Sequence, residues 1–436
     1  MERPENSEDN EWLLECLAVS PRRTTSPEPV TETVWSRRIA LADRHGVLPL
    51  IYHHLNRVAP GDGVPESVRA TLRDAFLMNG VRNRLHYQEL ALVLLAFTAR
   101  QIPCVVLKGA HLAALVYATP GLRSMADLDL LVPMADLVRA GDVLRELGFS
   151  GEATGESRAA AGAVMHLPRM FKPPGLGIEL HHTIARPELP FEVAVEGLWE
   201  RARPAVIAGV TTRVLSPEDT LLYLCLHTAS HAQESQGFDL APFLLGLKPI
   251  CDVAATVERY RSEIAWAVLS ARAREWRAER CVYVTLWLAR DLMGLEIPPA
   301  FWTALQPADF SKRWTELARE QVLLLGADLA DAEVLRSTFA PLAAWDQRVH
   351  TGPGMGKWAL FLQVLFPRRP LGEAPRLATS AEASNRGRWQ RVRRVVRWAG
   401  LVGRMLWYGV RHPRETARYV RHIRKQMRLW SWLKDG

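Results

Sequence analysis

The sequence predicts an α/β (α+β) protein, with a small mixed sheet between N-terminal and C-terminal helical regions. Three observations carry that prediction. Short β-rich apolar runs cluster between residues 102 and 215, while helical periodicity dominates before and after them. Within the cluster, an apolar run ends in Lys108-Gly109, and a second run alternates Asp127 and Asp129 with Leu128 and Leu130. The order strand, helix, strand, helix, strand, strand then fits a mixed sheet carrying helices on one side.

Residues 11–19 (EWLLECLAV) form a short helix, followed by the breaker-rich PRRTTSPEP. Apolar residues recur at helical spacing through 34–55 (Val34, Ile39, Leu41, Val47, Leu50, Leu55), and PGDGVP at 60–65 is a turn. Residues 66–100 read as one or two helices, with Leu85, Leu90, Leu92, Val93 and Leu95 forming a broad apolar face. IPCVVL at 102–107 is a buried strand, 109–117 a short helix and 128–132 a second strand. Residues 136–147 form an amphipathic helix that stops at Gly148, and a Gly/Ala/Ser-rich loop spans 150–162. Strands follow at 163–171, 176–182 and 205–215. SPED then opens a helix, with Ser216 as N-cap and Pro217 at its first position. Helical patterning continues to about residue 365, interrupted by QESQG, GLEIPP and HTGPGMG. A linker-like stretch at 372–388 leads to a basic tail. The expected domains are a helical cap (1–100), a catalytic core (101–215), a helical substrate-side domain (216–370), and a linker with the tail (371–436).

The charge is unevenly placed. The chain of 436 residues carries net +8. Residues 386–428 hold 14 Lys/Arg against Glu415, a local +13, which leaves the remainder near −5. The basicity therefore belongs to the tail. Its arginines are interleaved with Trp389, Trp398, Trp407, Trp430 and Trp432. Such a helix suits an anionic membrane surface, nucleic acid, a partner protein or the protein's own helical domain. No apolar run approaches the ~18–20 residues that span a bilayer. The acidic start, MERPENSEDNEWLLEC, does not read as a secretory signal. Five scattered cysteines with no CxxC spacing exclude a disulfide frame or Cys-type zinc site, and the expected compartment is cytoplasmic.

The chemistry concentrates in the strands. Asp127 and Asp129 share one strand face, and two carboxylates held that close repel unless a cation lies between them. A glycine after the first strand lets backbone amides approach a phosphate. Phosphate cradle and metal-binding acids together are the minimum equipment for phosphoryl or nucleotidyl transfer. GIELHHTI repeats the alternation, with Glu179 and His181 on one face and Ile178 and Leu180 on the other. His227 and His231 lie four apart on a helix, which is zinc-ligand spacing, but Thr228 stands where HExxH has its glutamate. Hydrogen-bonded histidines lining a cleft are the plainer reading. The acids have a plain reading too, as the solvated face of a strand.

Taken together, LKGAHL, Tyr117, PGLRSMADLDLLV, IELHHTI, LSPEDTLLYLCLHTASH and LKPICDVAATV resemble the uncharacterised bacterial nucleotidyltransferase family, which has the DNA polymerase beta-like catalytic fold. HGVLPLIYHHL extends the likeness upstream, and about residues 34–366 are covered. The resemblance implies a sheet of nucleotidyltransferase type. It also implies a magnesium- or manganese-dependent transfer of a nucleoside monophosphate from an NTP, ATP first, to an acceptor, with pyrophosphate released. It assigns Asp127, Asp129 and Glu179 to metal binding and catalysis. Lys108, Gly109, Ala110 and Arg123 go to the nucleotide. His181, His227, His231 and Asp252 are expected to touch the substrate or to position the acids that do. Lys108 stands where the wider superfamily has an apolar residue, and Ala110 lacks a hydroxyl found there. The alternatives are an inactive nucleotide-binding module, or a peripheral nucleic-acid or membrane protein acting through its tail.

Overall fold

The computed structural model describes residues 5–20, 30–58, 63–151, 165–173, 175–186, 189–230 and 246–323, and positions 421, 424, 425, 428, 429 and 431–433. The chain divides into two compact units. The first comprises Met1–His231, Leu244–Ala327 and Trp430–Gly436, and the second Ala232–Phe243 and Asp328–Leu429. His231, most of the 150–162 loop, the helical reading of 324–365 and most of the basic tail lie outside the described residues.

The first unit opens with helices α1 (Glu5–Leu17), α2 (Glu32–Arg44), α3 (Leu48–Val58) and α4 (Glu66–Ala99). The periodic stretch expected over 34–55 is two helices. They break at His45-Gly46, where Gly46 takes a left-handed φ of +69°. Thr31 caps α2 by accepting from the Val34 amide. The stretch 66–100 is one helix, and its buried side is not the all-apolar face expected. It carries Asn79, Asn83, His86, Leu90, Val93, Leu94 and Phe97 inward, while Leu85, Leu92 and Leu95 face out. The asparagines explain this choice. Asn79 donates to the Gly121 carbonyl at 2.7 Å, and Asn83 donates to those of Pro120 and Arg123 at 2.6 and 2.7 Å. Helix α4 thus braces the loop that leads into the aspartate strand.

The sheet has six strands: β1 (Val105–Val106), β2 (Asp127–Leu131), β3 (Met170–Lys172), β4 (Leu176–His181), β5 (Arg203–Ile207) and β6 (Val210–Val214). Their spatial order is β3-β4-β2-β1-β6-β5. β2 pairs parallel with β4 and antiparallel with β1, and β1 pairs parallel with β6. The 102–107 strand shrinks to two paired residues. The strand expected over 205–215 is a hairpin instead, turning at Ala208-Gly209, both with positive φ. Helices α5 (Lys108–Leu115) and α6 (Leu137–Glu146) follow β1 and β2, and α7 (Val195–Arg201) precedes β5. Leu128, Leu130, Ile178 and Leu180 pack with Leu90, Val93, Leu94 and Phe97 of α4 and with α6, so the apolar face of the sheet is buried.

Beyond the sheet, α8 (Pro217–Ser230), α9 (Leu247–Arg259), α10 (Trp266–Glu275), α11 (Glu279–Met293), α12 (Pro299–Leu305) and α13 (Lys312–Leu323) form the helical part. Ser216 caps α8 as expected, its hydroxyl accepting from the Asp219 amide at 3.2 Å. Trp432 is buried rather than displayed. It stacks on Trp314 and donates from its indole nitrogen to Asp309 at 2.9 Å. Among the described residues no helix is long and apolar enough to cross a membrane.

Because Asn83 is fully buried and satisfies two loop carbonyls, Asn83→Ala is expected to cost about 2–3 kcal/mol of unfolding free energy, read from urea titration. Exposed Arg84→Ala, its neighbour, is expected to cost under about 0.5 kcal/mol.

Candidate active site

The parallel β2–β4 ladder sets Asp129 opposite Glu179, Leu131 opposite His181 and Asp127 opposite Gly177. Side chains alternate along a strand, so Asp127, Asp129, Glu179 and His181 gather on the face away from the core. Three acids on so small a patch need compensation, and the fold supplies it from several directions.

Lys108 comes from the end of β1, where the chain turns into α5 with a positive φ of +35°. Its ammonium donates to Asp129 Oδ1 at 2.9 Å, and both side chains are almost fully buried. Burial alone would pull the Lys108 pKa down, but the Asp129 carboxylate outweighs it and drives the pKa up. In return, Asp129 is held well below the usual carboxylate range against its own burial, by Lys108 and by His181. His181 Nε2 lies 2.9 Å from Asp129 Oδ1 and 3.5 Å from Glu179 Oε2. His181 Nδ1 is buried with no hydrogen-bond partner among the described residues, so Nε2–H is the tautomer this arrangement favours.

Arg169 is the third cation. Its Nη2 donates to Asp127 Oδ2 at 2.5 Å and to Glu179 Oε1 at 2.7 Å, bridging the two strands. It reaches them across Gly177, where a Cβ would stand 2.9 Å from Arg169 Cδ. Glu179 falls to about 2: burial would raise it, but donors from His181 and Arg169 prevail. Asp127 differs. Burial and repulsion from Asp129 raise its pKa, and Arg169 only partly opposes them.

Arg123 and Gly109 form a second cluster. Arg123 binds Asp252 of α9 through Nη2 at 2.9 Å and Nε at 3.3 Å, and Tyr117 donates to the same carboxylate at 2.8 Å. A Cβ at Gly109 would stand 2.4 Å from Arg123 Nη1, so this glycine makes room for the guanidinium. Lys248 precedes Asp252 by one helical turn. It makes no ion pair among the described residues, and its pKa drops to about 8 through burial and the neighbouring Arg123, against the pull of Asp252 and Asp127. Tyr223 of α8 lies beneath Lys108, with the ring centroid 5.6 Å from the ammonium, and half-buried His227 packs beside that ring.

The site therefore draws its expected residues into two groups. Asp127, Asp129, Glu179, His181 and Lys108 form the acidic face. Gly109, Ala110, Arg123 and Asp252 lie at the start of α5 and against α9. Arg169, Lys248, Tyr223 and His166, whose ring lies 4.9 Å from that of His181, are additions. Lys248 and Asp252 were legible as an i, i+4 pair on a helix, whereas nothing in the sequence announces which strand face Arg169 crosses. Asp129, Glu179 and His181 offer one donor atom each, all within 4.8 Å of one another, a group that takes His181 in place of the expected Asp127. The two carboxylate oxygens suit a magnesium- or manganese-sized cation, and His181 would join them only with its proton moved from Nε2 to Nδ1.

A profile of the uncharacterised nucleotidyltransferases matches residues 31–294, and the chain belongs to that family. The match takes in the sheet and the helices that supply Tyr223, Lys248 and Asp252. A search of curated proteins found no match. Among solved structures, the chain is similar to the solution structure of the antibiotic-resistance factor ANT(2'')-Ia at 17% identity. That overlap covers 45% of this chain and 95% of the other at a TM-score of 0.29, too loose to carry an argument.

Burial separates the two aspartates. Asp129→Asn leaves the Lys108 ammonium buried and unpaired, and is expected to cost about 3–5 kcal/mol in urea denaturation. Asp127→Asn breaks a pair open to solvent and is expected to cost about 1 kcal/mol or less.

Proposed function

We propose that this family member is a metal-dependent nucleotidyltransferase that moves a nucleoside monophosphate from an NTP, ATP first, to an acceptor hydroxyl and releases pyrophosphate. The single observation behind this reading is the convergence of Asp127, Asp129, Glu179 and His181 on the face of paired strands opposite the apolar core. Asp129, Glu179 and His181 would hold a divalent cation, with Asp127 at its edge. When bound, such a cation supplies charge neutralisation at the transferred phosphoryl group and its leaving oxygen.

The chain's own residues do the rest. Arg169 is the cation with freedom to leave the acids for the triphosphate, since its side chain is 37% exposed against 11% for Lys108 and 12% for Arg123. Its planar fork suits phosphate oxygens. Among the described residues no carboxylate pairs with the Lys248 ammonium. The amides of Lys108, Gly109 and Ala110 open α5, where a helix start favours anions. In the transfer, the acceptor oxygen forms its bond to the α-phosphorus as the bond to the bridging oxygen breaks, and pyrophosphate carries that electron pair away. The acceptor proton goes to a carboxylate. Asp127, with its raised pKa, is a stronger base than Glu179 at about 2, so we assign the proton to Asp127 and charge placement to Glu179. Arg123 and Asp252 hold the α5 loop against α9 rather than touching the nucleotide.

Incubation with ATP labelled at the α-phosphorus, Mg²⁺ or Mn²⁺ and a cell extract is expected to transfer label to an acceptor, with the same yield of pyrophosphate. Asp127→Asn is expected to reduce that transfer at least 10³-fold (~4 kcal/mol) while thermal unfolding stays close to wild type. Label transfer that survives Asp127→Asn, or that ignores EDTA, overturns the reading.

Lys248 gives a pH dependence of known sign. It is protonated below about 8 and loses its charge above, so affinity for the non-hydrolysable analogue of ATP is expected to fall as pH rises through that value. Lys248→Met is expected to weaken binding about tenfold at pH 7, or ~1.4 kcal/mol, and to flatten the profile in calorimetric titration.

A further inference from the structure

Helix α4 carries a second apolar face. Met78, Val81, Leu85, Gln88, Leu92 and Leu95 follow one another at spacings of 3, 4, 3, 4 and 3 residues, the heptad rhythm of a coiled-coil seam. All six are exposed, and the five apolar ones show between 49% and 62% of their surface. At 3.6 residues per turn, this seam lies on the far side of the helix from the buried row Asn79, Asn83, His86, Leu90 and Phe97. A row of large apolar side chains on the outside of an ordered 34-residue helix is an interface pattern rather than a scatter of surface residues.

We propose that α4 is a dimerisation helix, and that a second copy of this chain packs its own α4 against it, parallel and in register. The pattern is self-complementary in that arrangement. Gln88 meets the second copy's Gln88, so each amide finds a partner at the one polar position of the seam. Arg84 flanks the seam on one side and Glu89 on the other, five residues apart, so Arg84 faces the second copy's Glu89, a carboxylate that also binds Lys172 of its own chain at 2.7 Å. An antiparallel pairing about the seam's centre would instead set Gln88 against Leu85, leaving the amide with no partner. The seam spans 18 residues, and its ends lie about 26 Å apart at 1.5 Å rise per step. With its flanks it would bury on the order of 600 Å² per copy, the lower edge of what a specific interface needs. The acids lie on the opposite face of the sheet from α4.

Light scattering on the full-length protein at about 20 μM is expected to give twice the 49.0 kDa chain mass. Leu85→Glu with Leu92→Glu is expected to give the chain mass, with the dimer dissociation constant raised at least 100-fold and unchanged α-helical circular dichroism. Should that double variant fail to fold, Gln88→Cys decides: mild oxidation is expected to yield a disulfide-linked dimer that wild type does not form. A wild-type monomer, a dimer indifferent to both glutamates, or a Gln88→Cys protein that does not cross-link each overturns the proposal. A monomer whose α4 amides exchange slowly would show that something other than a second copy covers the seam.

Discussion

The register of β2 against β4 is the constraint from which the rest follows. It places Asp129 beside Glu179, and by the strict alternation of strand side chains it sends Asp127, Asp129 and Glu179 to one face and Leu128, Leu130, Ile178 and Leu180 to the other. A slip of one residue would exchange the two faces, burying carboxylates in the core and exposing Leu128, Leu130, Ile178 and Leu180. The same apolar contacts that stabilise the sheet therefore set the geometry of the acidic cluster.

Concentrated negative charge then dictates what must surround it. Lys108 and His181 hold Asp129, and Arg169 spans Asp127 and Glu179. These cations are not equivalent. Lys108 is sealed between β1 and Tyr223, and Arg123 is bound by Asp252 and packed against Gly109, so both belong to the framework. Arg169 is more exposed than either, and among the described residues no carboxylate pairs with Lys248.

Helix α4 works on two sides. Its inward asparagines bind the carbonyls of the loop before β2, holding the strand that carries the acids. Its outward seam lies on the opposite side of the helix from those asparagines, so whatever packs there has no need to reach into the site. Along α4, Asn79, Asn83 and His86 face in while Leu85, Leu92 and Leu95 face out. The amide nitrogens of the two asparagines offset the cost of burial by binding loop carbonyls, and apolar side chains tolerate exposure when another surface covers them.

The sequence by itself determined the strand that carries Asp127 and Asp129, the matching alternation around Glu179, the capped start of α8 and the family to which the chain belongs. These are local properties: period-two alternation, a helix N-cap and a motif are written in neighbouring residues. Only the tertiary structure decided that Arg123 belongs to Asp252, that Gly109 yields to a guanidinium, that Arg169 crosses Gly177 to the acids, and that the outer leucines of α4 lie outside the core. Each of those joins residues far apart in the chain, and the energy of burying a charge or a side chain depends on neighbours that sequence spacing does not specify.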